Sequence, residues 1–155
     1  PDSLKFFTTQ GRVVYGGGGI SPDVFVPRDT IGMTSYYTKI YNGGILYDYT
    51  FEYVDKNREK LALYKDFTSL LNYLNTQNLA DELVQFAQGR GIPKNDKMYA
   101  ESKALMQNRI KAYILRSMLG DEAFYPVFNE NDIVIRVALQ ELSNNNSLPN
   151  VARIK

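Results

Sequence analysis

The stretch Asp96–Gly120, DKMYAESKALMQNRIKAYILRSMLG, predicts a long helix from about Asp96 to Leu119 that Gly120 ends. Its apolar side chains share one face as far as Tyr113 and are Met98, Leu105, Met106, Ile110 and Tyr113. Beyond Tyr113 the apolar residues spread around the helix axis. We therefore expect the C-terminal part of this helix to be buried on several sides.

Three further segments have helical periodicity. Asp66 is placed as an N-cap before the first of them, and Asn78 before the second, which Gly89 or Gly91 would end. The third follows Asp132. The apolar positions of the three are Phe67, Leu70, Leu71 and Leu74, then Leu79, Leu83, Phe86 and Ala87, then Ile135, Ala138, Leu139 and Leu142.

The opening of the chain has a different composition, because eight of the eleven glycines lie at or before Gly44. Two β-branched and aromatic runs, Leu4–Thr9 and Arg12–Tyr15, are separated by Gln10-Gly11 and predict a hairpin. Val24–Val26 lies between Pro22 and Pro27 and predicts a third short strand at an edge.

The segment 36–54 supports two interpretations. Alternating Ile45, Tyr47, Tyr49, Phe51 and Tyr53 favour a strand, and their aromatic content adds slightly to that preference. In that case Asn42-Gly43 would turn a hairpin. The alternative is a helix, in which Leu46, Tyr49, Tyr53 and Val54 share one face.

These patterns predict an α+β chain with a short N-terminal β segment and a mostly α-helical C-terminal domain. We place the β-rich piece at residues 1–30, the helical domain at 31–145 and a flexible tail at 146–155, where the composition is polar.

Composition excludes several classes of function. The chain has no Cys and no His, so it has no disulfide framework and cannot by itself form a Ser-His-Asp triad or a His-containing zinc site. Its net charge of +1 gives no reason to expect nucleic acid as a partner. No apolar run is long enough to cross a membrane, so we expect no membrane span in this chain.

The glycine run Gly16–Gly19 is the first candidate site. A phosphate-binding loop needs a Lys and a Ser or Thr directly after its glycines, but Ile20-Ser21-Pro22 follows here. We favour a structural role, in which the missing Cβ atoms allow close approach of the backbone.

Charged clusters are the remaining candidates. Residues 90–116 carry seven cations against Asp96 and Glu101, which we interpret as a solvated helix face with cationic stems over apolar surface rather than a site for an anionic partner. The acid pairs Asp121-Glu122 and Glu130 with Asp132 are better explained as helix starts than as acid/base pairs. Lys5 could be considered as a base for Ser3, but on one strand face the two would form only an exposed pair, so we assign them no role. We therefore assign no catalytic, cofactor-binding or metal-binding residue, and no cofactor.

The opening residues LKFFTTQGRVVYGGGGISPDVFVP resemble the segment that follows the active-site lysine in carboxyl-terminal processing peptidases, also called tail-specific proteases. The resemblance consists of an apolar strand, Gly11-Arg12 in a turn, a glycine-rich stretch, and Gly19-Ile20-Ser21-Pro22-Asp23 with Val24 and Val26. It covers about the first 27 residues well. A looser similarity to the helical C-terminal extension of the Bacteroides-like versions covers YYTKIYNGG, FEYVDKNR and LMQNRIKAYILRSMLGDEAFY, and it favours helix for 36–54.

The resemblance implies that residues 1–30 are closing strands of a serine peptidase core. Peptidases of this family use a Ser nucleophile with a Lys base in a Gly-Lys-Gly-like motif, and their PDZ module lies upstream. No such motif occurs here, since Gly89-Arg90-Gly91 has Arg in place of Lys and ends a helix. Hence no catalytic residue can be assigned to this chain.

The parent enzyme implied by the resemblance hydrolyses peptide bonds near substrate C-termini in the periplasm or cell envelope. The chain, which starts at Pro1, is then expected to be a non-catalytic fragment that completes the core, packs on it or mediates homo-oligomer assembly. Its partners would be the upstream catalytic core and PDZ region, and protein or peptide substrates through the parent enzyme. The alternative is a stand-alone helical protein-interaction module with no link to proteolysis.

Overall fold

The computed structural model describes residues 4–9, 11, 13–17 and 24–144. In this part of the chain a two-stranded sheet precedes seven helices, so the predicted α+β class is confirmed. The strands are β1 (Lys5–Phe7) and β2 (Val13–Tyr15), and the helices are α1 (Ser35–Asn42), α2 (Ile45–Leu61), α3 (Phe67–Asn75), α4 (Leu79–Gly89), α5 (Asp96–Leu119), α6 (Asp121–Phe128) and α7 (Ile133–Ser143). The predicted tail, 146–155, lies outside the described residues.

The predicted hairpin is confirmed. β1 and β2 pair antiparallel with Phe6 opposite Val14, and the Gly11 amide closes the turn on the Thr8 carbonyl at 2.9 Å. The predicted third strand at Val24–Val26 is wrong, because these residues form no strand. β1 and β2 pair only with each other, so this segment has no partner for a ladder in the described chain.

The segment 36–54 is helical, so the strand interpretation from the alternating aromatics is wrong. Tyr49 and Tyr53 share the buried face of α2 with Leu46 and Val54. Of the other three members of the alternating set, Ile45 is buried, whereas Tyr47 and Phe51 are 45% and 74% exposed. Burial therefore follows the helical period rather than the period of a strand. Gly43 and Gly44 join α1 to α2 where a hairpin turn was the alternative.

Local signals place the helix ends well. The Asp66 carboxylate accepts a hydrogen bond from the Ser69 amide at 2.9 Å and starts α3, as predicted. Asn78 occupies the N-cap position of α4, although its side chain makes no cap bond. Gly120 ends α5 with a φ of 90°.

Helix α5 is the centre of the helical domain, because α1, α2, α3, α4 and α6 all pack against it. Burial on several sides begins near Asn108, earlier than the pattern predicted, because Tyr99, Ser102 and Met106 still share one face. Its buried residues are Tyr99, Ser102, Met106, Asn108, Ile110, Ala112, Ile114 and Leu115. The two polar members are satisfied: Ser102 shares a hydrogen bond with Thr34, and the Asn108 amide donates to the Val127 carbonyl.

The last two helices differ from the prediction in one respect each. α6 was not predicted as a separate helix, although Asp121 and Glu122 do lie in its first turn. α7 forms where expected, but none of its residues is buried. The stripe that we predicted on α7 faces solvent, with Ile135, Leu139 and Leu142 at 40%, 60% and 61% exposure.

The segment that connects the hairpin to α1 is held against α5. Gly32 has a φ of 75°, and a Cβ atom there would lie 3.2 Å from Leu105 Cβ and 3.3 Å from the Glu101 carbonyl oxygen. Two residues later the Thr34 hydroxyl accepts from the Tyr37 amide, which caps α1, and lies 2.7 Å from the Ser102 hydroxyl of α5. Two close contacts therefore hold this junction against α5.

No helix in the described ranges is both long and apolar enough to cross a bilayer.

Because α5 is enclosed by five helices, truncating one of its fully buried side chains should strongly destabilise the domain. We expect Leu115→Ala to lower the free energy of unfolding by about 2–5 kcal/mol, through lost burial and an unfilled cavity. Leu63→Ala is the matched control: Leu63 is 74% exposed, so its change should stay within about 0.5 kcal/mol. Urea unfolding followed by circular dichroism measures both, and equal effects would contradict the central role of α5.

Candidate functional site

A groove lies where the 28–33 segment, α5 and α7 meet, and we call it the α5–α7 groove. Its volume is about 590 Å³, within the range of small-ligand and peptide sites. Its apolar lining comes from Ile31 and Met33, from Leu105 and Phe128, and from Ile133 and Val134 of α7. Ile31 is 85% exposed and Met33 40%, so this apolar lining is open to solvent.

The charged residues of the α5–α7 groove differ in how they are engaged. Both aspartates cap backbone: Asp29 accepts from the Ile31 amide at 2.8 Å, and Asp132 accepts from the Val134 amide at 2.8 Å. Arg109 donates to the Phe128 carbonyl at 2.6 Å and lies 3.6 Å from the centroid of the Phe128 ring. Arg28 and Arg136 form no ion pair within the described ranges. The groove lining therefore has a net positive charge, three arginines against two aspartates, and two of its cations are exposed and form no ion pair in the described chain.

A second, shallower cleft of about 430 Å³ lies between α2, α3 and α4. It is lined by aromatic rings and by mixed charges whose groups are already paired. The Tyr49 hydroxyl donates to Glu82 at 3.0 Å, Lys56 pairs with Glu52 at 2.9 Å, and Lys60 lies 4.9 Å from the Tyr73 ring centroid. These pairs explain the cleft as packing between helices.

Four tyrosines and two lysines have raised pKa values, which make them unsuitable as general bases. Burial raises the pKa of Tyr49, Tyr53, Tyr99 and Tyr113 well above the usual value, so these hydroxyls stay protonated at neutral pH. Hydrogen bonds to Tyr73 and Asp96 raise the pKa of Lys60 and Lys94, respectively. A general base needs its pKa near the working pH, so none of these six groups suits that role. Ser102 is fully buried with its hydroxyl bonded to Thr34.

Two residues of the glycine run, Gly16 and Gly17, lie in the described chain. A Cβ atom on Gly16 would lie 2.7 Å from Cε2 of Phe6, and Gly17 has a φ of 96°. Close approach is therefore confirmed at Gly16, although the neighbour is a ring and not backbone as we expected. Gly18, Gly19 and the Ile20–Asp23 residues of the motif lie outside the described residues.

The basic cluster forms separate local contacts in the structure. Three of its members form ion pairs with acids of α2, α4 and α6: Arg90 with Asp48, Lys103 with Asp81, and Arg116 with Asp121. Lys94 pairs with Asp96, and Lys111 donates to Asn75. Such contacts leave little of the local charge available for a shared anionic ligand.

The acidic candidates also have structural roles. Asp121 lies in the first turn of α6 and pairs with Arg116 at 2.7 Å. Asp132 caps α7, and Glu130 accepts from the Asn108 amide at 3.2 Å. No cluster of three or more carboxylates that could hold a metal ion occurs in the ranges the structure describes. Lys5 lies on β1 and is exposed, and Ser3 is outside the described residues.

Sequence reasoning missed the α5–α7 groove. Its walls come from three segments, near residues 30, 105 and 134, and no short pattern connects them. The one usable signal was Ile31 and Met33, which are apolar residues in a turn-forming segment without periodicity.

Asp81 is held by two donors across the α4–α5 contact: the Tyr99 hydroxyl at 2.6 Å and the Lys103 ammonium at 2.8 Å. These hydrogen bonds, Lys103 first, lower the pKa of Asp81 below its ordinary value. A lowered folded-state pKa stabilises the fold above the unfolded pKa of about 3.9, and this is lost as pH falls through the folded value.

We expect Asp81→Asn to destabilise the protein at neutral pH, and its difference from the original protein to disappear in acid. We also expect Lys103→Gln to raise the pKa of Asp81, as measured by a carboxyl ¹³C titration. The exposed Asp55 of α2 provides the control Asp55→Asn. An Asp81 pKa that does not respond to Lys103→Gln would contradict this contact.

Comparison with known proteins places the helical domain in a family. Residues 36–120, which span α1–α5 and end at Gly120, match the model of a family described as a family of unknown function (DUF8443). Neither the curated proteins nor the solved structures contain a match. Because the matched residues make up more than half of the 155, the chain belongs to the family of unknown function DUF8443.

Proposed function

We propose that this chain is the C-terminal part of a carboxyl-terminal processing serine peptidase and is itself non-catalytic. In this proposal the parent enzyme cleaves peptide bonds near substrate C-termini with a Ser-Lys dyad that residues outside this chain supply. The hairpin completes the catalytic core, and the helical domain packs on that core or supports assembly of the enzyme. The corresponding location is the periplasm or cell envelope.

The observation that carries the proposal is a two-stranded sheet whose aromatic side chains are exposed in the described chain. Phe6 and Phe7 on β1 are 56% and 67% exposed, and Tyr15 on β2 is 69% exposed. A two-stranded hairpin is at best marginally stable in water, and it needs further strands or a packed layer. Exposed aromatic residues on such a hairpin therefore support a role as strands that complete a larger sheet.

The segment after the hairpin supports the same role. Phe25 is 79% exposed and Val24 47% exposed, and both belong to the sequence motif that resembles the peptidase family. Apolar side chains of this size at the surface are typical of contacts with another protein layer. In this proposal the motif indicates that the layer is the peptidase core. The exposed side chains explain why such a layer is needed.

The alternative proposal is a helical protein-interaction module with no link to proteolysis. One observation favours it: α1–α6 form a hydrophobic core among themselves, which includes Ile40, Leu74, Met106 and Leu115 at 0% exposure. A domain with its own core can act independently of any enzyme. The two proposals make different demands on the hairpin, which the first needs and the second does not.

The exposed hairpin and the 24–26 segment should make the isolated chain bind a hydrophobic dye or self-associate. We expect Phe6→Ser combined with Phe25→Ser to reduce anilinonaphthalene sulfonate fluorescence or the associated fraction, because these two rings are a large part of the open apolar surface. Fluorescence titration and sedimentation velocity measure the two effects.

Leu63→Ser is the matched control, since Leu63 is 74% exposed but lies between α2 and α3. A chain that is monomeric and silent to the dye would count against strands that await a core. It would favour the independent interaction module.

A second test concerns the catalytic machinery. We expect the reading frame upstream of Pro1 to encode a lysine in a Gly-Lys-Gly-like motif, and a Ser nucleophile before it. We also expect the isolated chain to leave peptides with free C-termini intact, as followed by mass spectrometry. An upstream sequence without these two residues would refute the peptidase proposal, and turnover by the isolated chain would refute the assignment of a non-catalytic role.

A further inference from the structure

We propose that the α5–α7 groove, together with the exposed stripe of α7, binds an amphipathic acidic peptide segment of a partner protein. The partner segment would place apolar side chains in the groove and carboxylates beside its rim. This inference does not depend on the peptidase proposal, because it uses only the helical domain and the residues that lead into α1.

The apolar part of the surface is continuous from the groove to α7. Val134 lines the groove and is 52% exposed, and Ile135, Leu139 and Leu142 extend the apolar surface along α7. The most buried apolar residues of α7, such as Ile133 and Val137, are only partly buried. A helix that leaves its larger apolar residues in solvent has the pattern of one side of a helix-in-groove contact.

The charged part of the surface defines the partner's chemistry. Arg28 and Arg136 are exposed, line the groove and have no ion pair in the described chain. The groove's own acids, Asp29 and Asp132, are engaged as backbone caps. Carboxylates on an incoming segment would find two unpaired guanidinium groups, which bind carboxylates in a two-pronged geometry. Charge complementarity therefore favours an acidic segment over a neutral or basic one.

A second copy of this chain fits the surface less well. A partner copy that presents its own α7 would bring Arg136 as well as the helix's single acid, Glu141. Such a contact would bring one cation for each carboxylate. The positive charge of Arg28 and Arg136 would therefore not be neutralised. The chemistry of the groove thus points to a different protein.

The test uses three fluorescein-labelled peptides of about 14 residues with blocked ends. The first carries leucines at helical spacing i, i+3, i+4, i+7 and glutamates on both flanks. The second has lysine in place of every glutamate, and the third has serine in place of every leucine. Fluorescence anisotropy with the purified chain measures their affinities. We expect the first peptide to bind at least about tenfold more tightly than either of the others.

Variants of the chain locate the binding site. Arg28→Glu and Arg136→Glu should each weaken the first peptide by about three- to tenfold and improve the second, while added salt should reduce the difference. Leu139→Ser should weaken the first peptide by at least about fivefold. All three positions are exposed, so the fold should be unaffected. The matched controls are Lys65→Glu and Leu63→Ser, which change an exposed cation and an exposed leucine outside the groove.

Three results would overturn the proposal. Equal binding of the glutamate and lysine peptides would show that the rim arginines do not select the partner. Loss of affinity in the controls but not in the groove variants would place binding elsewhere. Sedimentation that shows a dimer of the original chain and a monomer of Leu139→Ser, with no binding of any peptide, would assign the stripe to a second copy.

Discussion

The fold depends on enclosing α5 on nearly every side. A helix in this position must satisfy its polar side chains inside the protein, because an unpaired buried hydroxyl or amide costs about 1–3 kcal/mol. Ser102 and Asn108 meet this requirement through Thr34 at one end and the carbonyl of Val127 at the other. These two contacts also fix which segments can lie next to α5. The start of α1 and the end of α6 are therefore placed by the polar residues of α5 as well as by its apolar ones.

Enclosure of α5 also leaves the exposed apolar surface largely at the periphery. Polar groups at the centre take part in contacts between the helices: Tyr99 donates to Asp81, and Arg109 lies over Phe128. Most of the exposed large apolar residues belong to the hairpin, to the segment before α1 and to α7, and the others are Tyr47, Phe51, Leu63 and Tyr125. These three elements lie before and after the family match at 36–120. The helical centre thus encloses most of its own apolar residues, and much of the exposed apolar surface lies at its two ends.

Helix boundaries could be predicted from sequence because they depend on local chemistry, as at Asp66 and Gly120. The segment 36–54 could not, because Tyr49 and Tyr53 fit both a period of two and a helical period. Contacts with distant residues decide between them, for example the Tyr49 ring against Phe86 of α4. The exposure of α7 has the same explanation. Its stripe has the spacing of a core helix, and only the position of the other helices shows that no element of the described chain covers it. The groove depends on three segments that are distant in sequence, so it could not be predicted.

The contacts of Gly32 and Thr34 on α5 have a mechanical consequence. This segment contacts α5 at two points within three residues. A displacement of the segment would therefore move Thr34, the N-cap of α1, together with Met33, which lines the groove with Leu105. The position of α1 and the shape of the groove are in this way coupled through one short segment.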